Sequence, residues 1–167
     1  MENHFDNVAH DWDKNKIHID RTEAIAKEML KMLELNPNMK ALEFGAGTAL
    51  LSFALKDYFS EIVLMDNSIE MTKISTSKVI EGKINHIKSL FFDLEKNDYI
   101  NTKFDIIYTQ MALHHVEDVE VILNKFYNLL NPQGVIAIAD LFKEDGTFHD
   151  YNFESTPKSR FSSLRMK

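Results

Sequence analysis

Two glycines and two acids are the groups of this chain best spaced to act together. Gly45 and Gly47 form a Gly-Ala-Gly turn directly after the apolar run Met39 to Phe44, and an apolar helical run follows at once. Twenty-one residues after Gly45, a second apolar run, Ile62 to Met65, ends in Asp66. Glycines let a backbone approach a ligand closely, and an acid at the next strand tip accepts hydrogen bonds from a ribose, so this is the layout of a nucleotide-type cofactor site. The spacing argues against a dinucleotide. A pyrophosphate-binding turn wants a third small residue three positions after the second glycine, and Leu50 stands there. Glu43, two residues before the first glycine, would repel a pyrophosphate and suit a cationic ligand bearing an amino group.

S-adenosylmethionine has those properties: a sulfonium, an ammonium, a ribose and no phosphate. The stretch Leu42 to Thr48 (LEFGAGT) resembles the first motif of the class I S-adenosylmethionine-dependent methyltransferases, Leu64 to Ser68 (LMDNS) their second, and Leu90 to Leu94 (LFFDL) their acid-bearing third. The resemblance runs from about Phe5 to about Phe142. It implies that Gly45, Ala46 and Gly47 pass under the methionine portion and ribose, with Glu43 beside them. Asp66 would bind both ribose hydroxyls with Asn67 and Ser68 in support. Asp93 would meet the adenine amino group, with Phe92 or Leu94 packing on the ring. The plainer alternatives are a helix-capping turn for Asp66 and a loop carboxylate for Asp93.

Tyr108 to Val116 (YTQMALHHV) occupies the segment where members of this family contact the amino-acid end of the cofactor and begin the acceptor pocket. Thr109 and Gln110 are the candidates for the first task. His114, with His115 beside it, is the candidate base, since an imidazole titrates near neutrality; packing or orienting the loop is the other reading. The two histidines, Glu117, Asp118 and the distant Asp140 lack a recognisable metal-ligand spacing, so no metal is expected. Asp140 either faces the acceptor or ends the fifth strand. The Asn/Asp-Pro-Pro-aromatic motif of adenine and glutamine methyltransferases is absent, Thr109 to Ala112 standing in its place. Phe5, Ala9, Trp12 and Asp13 resemble the N-terminal F-x-x-x-A-x-x-W-D of small-molecule methyltransferases, which helps form a lid; a packed anchor is the alternative for Trp12.

These residues need a scaffold that brings strand ends together, and the alternation of strand and helix patterns supplies one. Helices are expected at Arg21 to Leu33, capped by Asp20, then after the glycine turn with Leu51, Ala54, Leu55 and Tyr58 on one face, at Ile69 to Glu81 capped by Ser68, and around Val119 to Leu130. Strands are expected at Met39 to Phe44, Glu61 to Met65, His86 to Phe92, Phe104 to Thr109 and Val135 to Leu141. The fold class is α/β: a Rossmann-like doubly wound sheet of parallel strands in the order 3-2-1-4-5, lacking the usual C-terminal antiparallel pair. The division is a cofactor-binding domain at 1–142 and a polar tail at 143–167. The fifth strand would then be an open apolar edge, an association hazard. Truncation, pairing with a second copy into a homodimer, or cover by the tail are the three ways out.

Composition sets the outer bounds. The 167 residues suit one domain with a real core. No apolar run approaches a membrane span, and the polar, acidic N-terminus is no secretory signal. The lack of cysteine excludes disulfides, cysteine-thiolate zinc sites and cysteine-adduct methylation, and points to the cytoplasm. A net charge of −7 disfavours a nucleic-acid substrate, which needs Lys and Arg against its phosphates. The expectation is a methyltransferase that moves the sulfonium methyl to a small-molecule acceptor by in-line displacement. The rivals are a cofactor-binding domain without turnover and, with less support, a nucleotide-dependent Rossmann oxidoreductase.

Overall fold

The structure is a computed structural model, and it describes residues 4–100, 102–141 and, as backbone, 162–165. Helix α1 (His4–Val8) and a 3-10 turn (Ala9–Lys14) lead into helix α2 (Lys16–Met32). Strand β1 (Lys40–Phe44), helix α3 (Leu50–Leu55), β2 (Glu61–Asp66), α4 (Ile69–Glu81), β3 (Ile87–Phe91) and β4 (Phe104–Gln110) follow. A 3-10 turn (Leu113–His115), α5 (Val119–Leu129), β5 (Leu130–Ala139) and β6 (Ser162–Arg165) complete the described elements.

The sheet order is β3-β2-β1-β4-β5-β6, with the first five strands parallel. This is the expected 3-2-1-4-5 core. Beyond these five, β6 lies antiparallel on β5, in register from Val135↔Arg165 to Ile138↔Ser162. The expectation of an open fifth-strand edge is therefore corrected, and the route to a homodimer through that edge loses its basis. The polar tail shows no strand pattern of its own; β5 supplies the row of backbone donors and acceptors that recruits one. Most of the tail between them, 142–161, lies outside the described residues.

Side-chain alternation on the parallel strands splits the core into two layers. Ala41, Ile62, Leu64, Ile106 and Tyr108 lie in the layer with α2 and α3, while Leu42, Val63, Met65 and Ile107 lie in the layer with Ile122 and Phe126 of α5. Both faces are covered, so the strands read as nearly continuous apolar runs.

Two local expectations shift and a third holds. Helix α2 starts earlier: the Asn15 side chain caps it by accepting the Ile17 N–H at 3.0 Å, and Asp20 sits inside the helix, paired with Lys16. In α3 the buried residues are Leu51, Ser52 and Leu55, whereas Ala54 and Tyr58 are exposed, because the helix lasts under two turns before it tightens. Ser68 caps α4 as expected, accepting the Met71 N–H at 3.2 Å.

Candidate cofactor cleft and acceptor site

The reversal of strand order between β1 and β4 opens a crevice at the carboxyl ends of the strands, where ligands of such sheets sit. Gly45 and Gly47 lie at the tip of β1 with φ of +65° and +53°, the left-handed region that favours glycine. A Cβ on Gly45 would lie 2.4 Å from that of Ala112, so the turn and the loop after β4 meet backbone to side chain. At Gly47 there is room, and only the backbone angle demands glycine. Ala46 is buried, and its N–H donates to the Met65 carbonyl at 3.1 Å, tying the turn to β2.

Asp66 ends β2 half-buried beneath this turn. Its Oδ2 accepts the Gly47 N–H at 2.7 Å and its Oδ1 the Ser68 N–H at 2.8 Å. Burial raises its pKa, against the pull of those two bonds. Asp66 thus shapes both the glycine turn and the turn into α4, the plainer of the two roles weighed for it. Asn67 is exposed next to it.

Glu43 is not in the open cleft. Its side chain is buried under α3, where the Ser52 hydroxyl bonds to it and Ser52 Oγ lies 2.5 Å from the Tyr108 hydroxyl. Glu43 and Tyr108 are register partners on β1 and β4, which is why they meet. Burial pushes the Glu43 carboxyl up to about 8. At neutral pH it is mostly protonated, so the charge argument drawn from its sequence position does not act through a free carboxylate.

Asp93 folds back on its own turn. Oδ1 accepts the N–H groups of Glu95 (3.1 Å) and Lys96 (3.3 Å), and Oδ2 the Lys96 ammonium at 2.7 Å. Although its partial burial opposes this, the Lys96 and backbone bonds hold the carboxyl below its usual range. Leu94 is buried in the α5-side core, and its carbonyl accepts the Lys125 ammonium at 2.8 Å.

On the other side, Thr109 and Gln110 end β4. Gln110 Nε2 donates to Thr22 Oγ1 of α2 at 2.9 Å, while Gln110 Oε1 and Thr109 Oγ1 are buried with no hydrogen-bond partner among the described residues. His114 Nδ1 lies 2.6 Å from Asp140 Oδ1, and Asp140 Oδ2 accepts the Leu113 N–H at 2.8 Å. Burial pushes Asp140 up, but the bond to His114 and the backbone N–H groups of Leu141 and Leu113 outweigh it, so its pKa is lowered. The sequence left Asp140 between two roles; the fold makes it the partner of the candidate base.

The N-terminal segment is bonded to the glycine turn and to α4. Asp6 Oδ1 accepts the Ser68 hydroxyl at 2.6 Å and the Glu70 N–H at 3.2 Å, at the start of α4. Asp13 binds the Thr48 hydroxyl and, at 2.8 Å, the Lys78 ammonium, which also donates to the Thr48 carbonyl at 2.7 Å. Phe5 packs edge-on against Trp12 and His115, with centroids 6.1 and 5.0 Å away. Asp6, Lys78 and Thr48 were not singled out from sequence. The acids Asp6 and Asp13 were visible, but their partners lie 35 to 65 residues away.

A Gly-x-Gly turn held to the second strand's acid at the switch point of a 3-2-1-4-5 sheet defines a class I methyltransferase domain. Residues 17–164 match the family model described as a methyltransferase domain, and the chain belongs to that family. It is 33% identical over 118 residues to an uncharacterised methyltransferase of Schizosaccharomyces pombe, covering 66% of this chain and 42% of that protein. It is 29% identical over 122 residues to phosphoethanolamine N-methyltransferase 3 of Arabidopsis thaliana, covering 72% of this chain and 25% of that protein. The chain therefore spans less than half the length of these relatives. Among solved structures, the YcgJ protein of Bacillus subtilis superposes with a TM-score of 0.68 at 24% identity, covering 74% of this chain and 53% of that one. These likenesses to structures bear on the fold.

The methyl donor of a class I methyltransferase domain is S-adenosylmethionine, and the residues present fit it. The glycine turn leaves no space for a side chain at Gly45, the ribose acid is in place, and buried acceptors on Gln110 and Thr109 stand ready for donors. Among the described residues no group of three or more His, Asp or Glu is arranged to hold a metal ion, and no helix is long and apolar enough to cross a membrane.

Proposed function

We propose that this chain is an S-adenosylmethionine-dependent methyltransferase acting on a small-molecule acceptor by in-line methyl transfer. The observation that carries the reading is the Asp66–Gly47 bond, which sets a ribose acid against a bare glycine turn at the switch point. When bound, S-adenosylmethionine supplies an electrophilic methyl on a sulfonium. Gly45, Ala46, Gly47, Asp66 and Asn67 form the ribose and methionine side of its site, and Glu43 supports the turn from beneath α3. Asp93 and Leu94 form the adenine side, and Thr109 and Gln110 the amino-acid end.

The chain's own chemistry is mostly orientation, because the donor needs no acid to activate its leaving group. His114 takes the acceptor's proton. Asp140 fixes the ring with Nδ1–H donated to its carboxylate, which makes Nε2 the nitrogen that accepts. The segment holding Phe5 and Trp12 limits water at the site.

A small acceptor is supported by the acidic chain and by the absence of a Pro-Pro-aromatic cage for planar amino groups; nucleic acid is not the substrate in this reading. The lack of cysteine supports a cytoplasmic setting. The catalytic domain is taken as 1–142, with 143–167 a C-terminal tail. The second reading is cofactor binding without turnover. Calorimetric titration with S-adenosylmethionine and S-adenosylhomocysteine tests the first step, with Asp66→Ala as control. Formation of S-adenosylhomocysteine in an acceptor screen separates turnover from binding. A folded protein that binds neither compound refutes both readings.

A further inference from the structure

Lys125, in the second half of α5, holds the turn that follows β3. Its ammonium donates to the carbonyls of Leu94 at 2.8 Å, Asn97 at 2.9 Å and Glu95 at 3.3 Å, and pairs with Asp98 at 3.1 Å. The Lys125 side chain is mostly buried, beside a core layer that joins Leu94 to Ile122 and Phe126 of α5. A trans peptide unit is planar, with its C=O and N–H on opposite sides. The Leu94 carbonyl shares a unit with the Glu95 N–H, and the Glu95 carbonyl with the Lys96 N–H. Turning those carbonyls toward Lys125 turns these N–H groups away from it, and both meet Asp93 Oδ1, at 3.1 and 3.3 Å. The turn stands beside Asp66, since the Phe92 N–H donates to the Asp66 carbonyl at 2.8 Å. A compact ammonium with three donors suits this gathering of carbonyls, and an apolar side chain in its place would leave them unpaired.

We propose that Lys125 is a positioning residue for the adenine side of the cleft, aiming the Asp93 carboxylate through the two peptide units it holds. The inference rests on reading the cleft as an S-adenosylmethionine site with Asp93 on its adenine side. Lys125 touches no part of the cofactor in this reading. With Oδ1 tied to the turn, Oδ2 is the oxygen left to meet the base. A carboxylate oxygen accepts more than once, so Oδ2 can take an adenine amino group beside the exposed Lys96 ammonium. Loosening the turn therefore weakens recognition of that amino group more than binding of the rest of the cofactor.

Calorimetry on the full chain compares S-adenosylhomocysteine with S-inosylhomocysteine, in which a carbonyl oxygen replaces the adenine amino group. The proteins are wild type, Lys125→Met, Lys125→Arg, Asp93→Ala and the double variant Lys125→Met with Asp93→Ala. Wild type should prefer S-adenosylhomocysteine. Lys125→Met should lower that preference about tenfold, by weakening S-adenosylhomocysteine and leaving S-inosylhomocysteine nearly unchanged. Lys125→Arg keeps the charge without the compact head and should fall between the two. The double variant should show the same preference as Asp93→Ala alone, because Lys125 acts through that carboxylate. A preference left intact in Lys125→Met, whether or not both affinities fall, overturns the proposal, as does a wild type that binds both compounds alike. If circular dichroism shows Lys125→Met unfolded, Lys125→Arg carries the comparison, a lowered preference supporting the proposal and an unchanged one overturning it. Wild type that binds neither compound refutes the cofactor reading itself. Hydrogen exchange at the Glu95 and Lys96 amides then decides whether Lys125 orients the turn, faster exchange in the variant supporting it and equal exchange overturning it.

Discussion

Asp66 Oδ2 accepts the Gly47 N–H at 2.7 Å, so the acid expected to bind ribose also holds the glycine turn in shape. One side chain from β2 thereby couples the two halves of the cleft. Hydrogen bonds to charged groups contribute about 1.5–3 kcal/mol each. Asp66→Ala removes the ribose acceptor and the bond to the turn together. The expected result is a loss of S-adenosylhomocysteine affinity of about 100-fold or more by calorimetry, with a smaller loss for Asp66→Asn. Unchanged affinity in the alanine variant would refute the assigned role.

Gly45 and Gly47 separate two reasons for glycine. Both have positive φ, which costs a non-glycine residue about 1–2 kcal/mol. Only Gly45 also meets Ala112, at 2.4 Å from a built Cβ. Gly45→Ala is expected to destabilise the protein by about 3 kcal/mol, and Gly47→Ala by about 1–2 kcal/mol, from overpacking plus strain in the first case and strain alone in the second. Adding Ala112→Gly should recover part of the Gly45→Ala loss and none of the Gly47→Ala loss. Urea unfolding of the five proteins checks this.

Glu43 gives stability a pH dependence of defined sign. Its folded pKa, about 8, lies above the ordinary carboxyl value of 4.5. Between those values the unfolded chain has lost a proton that the folded chain keeps, so the contribution of Glu43 to stability falls as pH rises from about 4.5 to about 8. Glu43→Gln keeps the hydrogen-bonding shape and has no charge to desolvate. Its melting temperature relative to wild type should improve steadily from pH 5 to pH 8. Parallel curves across that range would show that Glu43 is not buried as a neutral acid.

The N-terminal segment is fastened by Asp13, whose carboxylate bonds Thr48 and Lys78. The pair is partly exposed, so its loss should cost global stability only about 1 kcal/mol. Local effects should be larger. In Asp13→Ala, trypsin is expected to cut at Lys14 and Lys16 several-fold faster than in wild type, with cofactor affinity reduced alongside. Equal cleavage rates would mean that other contacts hold the segment.

Asp140 bonds His114 Nδ1, so if His114 is the base of the proposed reaction, Asp140 is its positioning residue. Asp140→Asn keeps the size of the side chain but can offer an N–H where His114 needs an acceptor, favouring the wrong tautomer. Turnover should drop by one to three orders of magnitude, with a displaced pH–rate profile and cofactor affinity within a few-fold of wild type. A loss seen in affinity alone would place the dyad outside the chemistry.

The parallel core was legible because its signals are local. The runs ending at Phe44 and Met65, the glycine turn between them and Ser68 before Ile69 each state their structure within a few residues. Backbone sterics and strand periodicity act at that range, so Gly45, Gly47 and Asp66 could be placed together from spacing alone. The direction of a side chain is set by what packs against it, and there the sequence ran out. Glu43 stands beside the glycines in the chain, yet register on β4 turns it toward Tyr108 and burial neutralises it. Asp93 has the position of an adenine-binding acid, yet nearby N–H groups and Lys96 turn it inward. The pairing of β6 with β5, the Asp13 clasp on Lys78 and the Asp140–His114 bond join residues far apart in sequence. Such contacts depend on the packing of whole elements, so local pattern sets the scaffold and the cofactor turn, and tertiary structure decides which charges around them are shared, neutralised or left for a ligand.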